Sequence, residues 1–147
     1  MIALGKYYVS VTGLVTKNFL STPKFMYLSS RAYNSALKAD GNVYSSMFSK
    51  DGVYHTITVW ESKEAMQYFF RDDAHTTAMK SLTVVSRYAK VHGYFADELP
   101  SSDEAIKEWR NEGRIVYGEP KKKCGDISPE TQYHVTQIDP SIRSYAH

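Results

Sequence analysis

Two β-rich runs, Val43 to Ser49 and Val53 to Trp60, are separated only by Lys50-Asp51-Gly52. An Asp-Gly pair between such runs is among the strongest short-range signals for a β-hairpin, because Gly and Asp tolerate the positive φ that tight turns demand. A lone hairpin is marginal in water, so the rest of the chain must supply further strands or helices against one of its faces.

The flanking segments supply both. Residues 7 to 17 alternate, with Val9, Val11 and Val15 on one side and Tyr8, Ser10, Thr12 and Leu14 on the other, which predicts a first strand. Ser21-Thr22-Pro23 then reads as a helix start, with hydroxyls for the N-cap and proline at the first helical position. Phe25, Met26, Leu28, Ala32, Tyr33, Ala36 and Leu37 form its apolar stripe, and Asp40-Gly41 ends it.

After the hairpin, Ser62 caps a second helix carrying Ala65, Met66, Phe69 and Phe70, with Glu64 in the first turn where the helix dipole favours an anion. Asp72-Asp73 is a second cap, restarting the helix toward Ala78, Met79, Leu82 and Val85. A fourth strand follows at 91 to 96. Ser101 and Glu104 are spaced as a capping box for a short third helix with Ala105, Ile106 and Trp109, closed by Gly113. Ile115-Val116-Tyr117 adds an edge strand.

The order β-α-β-β-α-β predicts an α+β, ferredoxin-like sandwich, a four-stranded antiparallel sheet with two helices on one face. The other sheet face is then bare, and burying it against a second copy predicts a homodimer, a dimeric α+β barrel. The expected division is a domain over 1 to 118 and a polar C-terminal tail over 119 to 147. In that tail Tyr133, Val135 and Ile138 are the candidate anchors, on the domain or on the partner subunit.

Composition narrows the class. With 147 residues, 42% of them hydrophobic, the chain suits one globular domain that folds without staples, and its single cysteine, Cys124, has no intrachain partner for a bridge. No apolar run approaches the ~20 residues of a bilayer span, and Met1 to Val9 lacks the pattern of a signal peptide, so a cytoplasmic protein without a membrane partner is expected. A net charge of +2, with one short basic run at Lys121-Lys122-Lys123, argues against a nucleic-acid partner. G-x-S-x-G, H-E-x-x-H, P-loop and G-x-G-x-x-G patterns are absent.

Several side chains have the chemistry of a small-molecule site. His75 falls in the first turn of the restarted helix, on the side of Ala78 and Met79, where a helix N-terminus favours neutral imidazole and hence a base. The plain alternative is a half-buried, satisfied histidine. His55 shares a strand face with Val53, Ile57 and Val59, an odd place for a titratable group unless it opens onto a pocket or hydrogen-bonds across the sheet. Trp60 is either core packing or a wall for a planar ligand. Tyr8, Tyr68 and Tyr94 are candidate phenols for a cleft between sheet and helices.

The stretch Tyr54-His55-Thr56-Ile57-Thr58-Val59-Trp60-Glu61, followed by Ser62-Lys63-Glu64-Ala65-Met66, aromatics at 68 to 70 and His75, resembles the dimeric α+β barrel superfamily that includes the antibiotic-biosynthesis monooxygenases. The resemblance spans roughly residues 7 to 117 and is nearest to small members with a His-x-x-x-Val-Trp-Glu strand. It implies a cofactor-independent monooxygenase for a small aromatic or polyketide-like molecule, in which the substrate anion itself reduces oxygen. His75 or His55 is then the base, with Trp60, Tyr68, Tyr8, Tyr94, Phe69 and Met79 lining the pocket. The rival readings are a cyclase or isomerase on the same pocket and a non-catalytic ligand-binding dimer. The superfamily's haem-degrading branch ranks below these, because its functional positions align with Val11, Phe69 and Met79, all of other residue types. No cofactor and no metal are expected.

Overall fold

The computed structural model describes residues 5–118, and the expectations for the tail, including Cys124 and Tyr133, lie outside the described residues. The elements run β1 (Tyr7–Thr16), α1 (Thr22–Lys38), β2 (Asn42–Lys50), β3 (Val53–Trp60), α2 (Lys63–Phe69), α3 (Asp73–Lys80), α4 (Leu82–Val85), β4 (Ser86–Ala96), α5 (Ser102–Glu112) and β5 (Arg114–Gly118). The fold is α+β, and its strands form one antiparallel sheet in the order β2-β3-β1-β4-β5.

Local chemistry accounts for most boundaries. Lys50 pairs with Val53 across a two-residue turn in which Asp51 (φ 55°) and Gly52 (φ 82°) both take positive φ, the twist that matches the flanking strands. Ser62 Oγ accepts from the Ala65 amide, Asp72 Oδ2 from the Ala74 amide, and the Ser101–Glu104 capping box is complete. Ser21 departs from expectation. Its hydroxyl makes no cap bond and its own amide donates to Asn18 Oδ1, while Pro23 still sits in the first turn of α1.

β4 begins at Ser86, five residues ahead of the expected start at Val91. Arg87 and Lys90 break the apolar alternation there, but Lys90 is only 4% exposed. Its burial is compensated: Nζ donates to Arg110 O (2.9 Å) and lies 4.8 Å from the Trp109 ring centroid.

The strand register sorts the sheet into two faces. Tyr8–Trp60, Ser10–Thr58, Thr12–Thr56 and Leu14–Tyr54 are paired on the face toward α1 to α4, where Leu14 packs with Phe25, Leu28, Ala32, Ala78 and Leu82. Val9–Val59, Val11–Ile57 and Gly13–His55 are paired on the opposite face. That second face, expected to be bare, is not. α5 lies across it, burying Ala105, Ile106 and Trp109 against Val9, Val11, Ile57 and Val59. Gly13 is the seat of this contact, since a Cβ there would stand 2.3 Å from the Trp109 ring. The bare-face argument for a homodimer therefore loses its premise over the area α5 covers.

Candidate functional site

The helix-facing side of the sheet carries an unusual polar row. Ser10, Thr58 and Trp60 are all nearly or fully buried, and Ser10 Oγ, Thr58 Oγ1 and Trp60 Nε1 have no hydrogen-bond partner among the described residues. Leaving a buried polar atom unpaired costs about 1–3 kcal/mol, so these three are the groups on this face that a water or a ligand would stabilise most.

A groove of about 460 Å³ lies at the Tyr8 end of this face, and Ser10, Thr58 and Trp60 themselves do not line it. Tyr8, Met66, Phe70, Val91 and Gly93 line it, with Lys63 and Arg114 among its charged residues. Gly93 is paired with Ser10 in the β1–β4 register and is the lining residue next to it. The volume lies in the range of small-molecule sites. Tyr8 is 5% exposed, meets Phe95 edge-on at 5.0 Å, and has its phenol pKa raised by burial.

An aromatic stack connects this cavity to His75. Trp60 stacks on Phe69 (5.3 Å), Phe69 meets the His75 ring (5.3 Å), and His75 lies parallel to Phe70 at 4.6 Å, with 3° between the planes. The Asp72 cap fixes the start of α3 and thereby aims His75 inward, where it is 3% exposed. Phe70 stands as a wall of the cavity on one side and as the stacking partner of His75 on the other.

The structure thus brings together Tyr8, Trp60, Phe69 and His75 from the sequence-derived set. The others lie elsewhere. His55 is on the opposite sheet face under α5, 1% exposed, its Nδ1 bonded to Thr12 O (3.1 Å) and its ring edge-on to Trp109 at 4.7 Å. Burial first of all lowers its pKa to about 3, helped by Lys50, Arg110 and Lys90 and opposed by the Thr12 bond. His55 and His75 therefore cannot share one pocket.

Tyr94 also faces the α5 side, paired with Val9 and stacked on His92 at 5.4 Å. Burial, with Glu108 and Glu104, pushes its phenol up to about 12. Tyr68 is 75% exposed and contributes to an outer groove of about 580 Å³ between α1 and α2, which has no sheet residue in its lining. Met79 packs with the Leu14 cluster rather than with Tyr8 and Trp60. Ser10, Thr58, Phe70 and Gly93 were not singled out from the sequence. Strand alternation placed the first two on the right face, but unpaired hydroxyls become visible only once their neighbours are known.

Among the described residues no three His, Cys, Asp or Glu side chains are grouped as a metal site. The positions that align with the haem-degrading branch do not converge either, since Val11 packs under α5 while Phe69 and Met79 lie across the sheet. No helix among the described residues is long and apolar enough to cross a membrane.

No family profile and no curated protein matches the sequence. Solved structures do. A candidate antibiotic biosynthesis monooxygenase from Nitrosomonas europaea is similar with a TM-score of 0.58 at 13% identity, over 65% of this chain and 95% of that one. SnoaB from Streptomyces nogalater, described as a cofactor-independent oxygenase, is similar at 0.54 and 17% identity, over 66% of this chain and 100% of that one. A Mycobacterium tuberculosis protein gives 0.57 at 11% identity, over 65% and 98%. The chain shares the ferredoxin-like α+β fold of these structures.

Proposed function

We propose that the chain oxidises a small aromatic or polyketide-like molecule with molecular oxygen, without a cofactor, in the cavity between the sheet and α2. The observation that carries this reading is the buried row of Ser10, Thr58 and Trp60 beside a cavity walled by Tyr8 and Phe70. A planar substrate would stack on the aromatic walls, and the Ser10 hydroxyl, next to the lining residue Gly93, would be the unpaired group nearest its oxygens. The fold shared with SnoaB supports the reading as an analogy.

His75 is the base of choice, because His55 is sealed under α5 with its proton-binding strongly depressed. Phe70 must turn aside for the imidazole to meet substrate. His75 removes a proton from the activated CH of the substrate, and the resulting anion passes one electron to O2. Recombination forms a C–O bond, and the hydroperoxide loses water to leave a carbonyl. One CH2 and one O2 become one C=O and one H2O.

The position of Phe70 between cavity and His75 favours a second reading, a ligand-binding dimer without turnover. A cyclase or isomerase on the same pocket would consume no oxygen. In either case a homodimer would use what α5 leaves at least partly uncovered, Tyr7, Tyr44 and Tyr94. A cytoplasmic setting agrees with a lone cysteine.

An oxygen electrode with 1,8-dihydroxyanthrone as probe tests the proposal. Wild-type protein should consume oxygen and release the quinone, and His75→Gln should lower the rate by about 10²–10⁴-fold. Equal rates in the two proteins, or binding with no oxygen consumed, would overturn it.

A further inference from the structure

The loop between β1 and α1 presents Phe19 and Leu20 at 80% and 74% exposure, an uncommon display for two adjacent large apolar side chains. The loop is nevertheless held in place. The Lys17 amide donates to Val85 O (2.8 Å) and Lys17 Nζ to Thr83 O (3.1 Å), which sets the loop beside Val84, itself 54% exposed. Residues 16–31 and 80–90, which build this end, hold Lys17, Lys24, Arg31, Lys80, Arg87 and Lys90 and neither Asp nor Glu. The carboxylates that the topology brings near this end of the sheet, Asp51 and Asp103, belong to the β2–β3 turn and to α5.

The chain leaves the described residues at this same end. Gly118 is paired with Tyr88, and β5 runs antiparallel to β4, so the strand ends pointing toward Ser86 and Val85. Gly118 has φ +70°, and a Cβ there would collide with Arg87 O, so the backbone at the exit lies tight against Arg87. Arg87 Nε is buried and has no hydrogen-bond partner among the described residues. The sequence that follows supplies acceptors, first Glu119 and then a stretch, 125–142, with Asp126, Glu130 and Asp139 and no Lys or Arg. That stretch also holds Ile127, Tyr133, Val135 and Ile138.

From these observations we propose that residues 125–142 dock back on their own domain, with the Tyr133–Ile138 cluster covering Phe19, Leu20 and Val84 and the carboxylates facing Lys17, Lys24, Lys80 and Arg87, while the Lys121-Lys122-Lys123 run stays on the linking segment. Reach is no obstacle, because fifteen extended residues span about 50 Å. The contact combines apolar burial with charges of opposite sign, and salt therefore weakens it.

The test uses the full chain carrying Cys124→Ser and Gln137→Cys, with a nitroxide on the new thiol. Amide signals of Lys17 to Thr22 and Thr83 to Arg87 should be broadened at least several-fold more than those of α5, at all protein concentrations and less so in 0.5 M salt. Adding Phe19→Ser and Leu20→Ser should abolish the difference while leaving the β-sheet signals in place. Uniform broadening over the whole surface would overturn the proposal. So would broadening passed between copies in a mixture of nitroxide-bearing unlabelled and ¹⁵N-labelled protein, which would make the occupant a second copy. Pelleting of the full chain with anionic phospholipid vesicles, lost in the Phe19→Ser, Leu20→Ser variant, would show the patch free for a membrane and would equally overturn it.

Discussion

His55 ties the second face of the sheet to pH. Its pKa is lowered from 6.5 to about 3 in the folded chain, chiefly because the ring is sealed between the sheet and α5. Between those values the unfolded chain binds the proton that the folded chain refuses, so stability is full above pH 6.5 and falls as pH is lowered. The slope is about 1.4 kcal/mol per pH unit, which integrates to roughly 2 kcal/mol at pH 5 and about 3 kcal/mol at pH 4. His55→Asn isolates this contribution. Its side-chain amide keeps a donor for Thr12 O but does not titrate, and the lost ring contacts with Phe48 and Trp109 impose a cost that is the same at every pH. Urea unfolding of both proteins at pH 4, 5, 6 and 7 should show the gap between them closing by about 2 kcal/mol from pH 7 to pH 5. Parallel stability curves over that range would mean that His55 is reached by solvent, and the placement of α5 over it would be wrong.

Gly13→Ala should destabilise by about 1–3 kcal/mol, because the new methyl meets the Trp109 ring, and a melting temperature equal to wild type would show that α5 does not press on this strand. Trp109→Phe, which removes the donor to Lys90 O at 2.7 Å, should cost about 1–3 kcal/mol in urea unfolding; no loss would deny that bond a structural role. Ser10→Ala with Thr58→Val should raise the stability of the ligand-free protein by about 1 kcal/mol or more and weaken binding of an aromatic probe in calorimetry. A loss of stability instead would mean that the two hydroxyls are already satisfied.

Much of this molecule was legible before any tertiary contact was known. The Asp51-Gly52 turn, the Ser101–Glu104 capping box, the Asp72 cap that restarts a helix ahead of His75, and the two-sided patterns of β1 and β3 are local features. Each is decided by φ preference, by hydroxyl and carboxylate reach, or by the alternation of a pleated strand. The resemblance carried on Val59-Trp60-Glu61 likewise led to the fold.

What local pattern cannot specify is which element covers a face. Alternation placed Val9, Val11 and His55 together, but that α5 rather than a second subunit buries them depends on Gly13 admitting the Trp109 ring and on Lys90 finding Arg110 O and that ring's π face. The same contact set the fate of the two histidines. Both are buried with aromatic neighbours, yet His55 is locked to Thr12 O beneath a helix while His75 stacks on the wall of a cavity. Burial and bonding of a polar group are properties of its three-dimensional neighbours, and those come from residues distant in the chain.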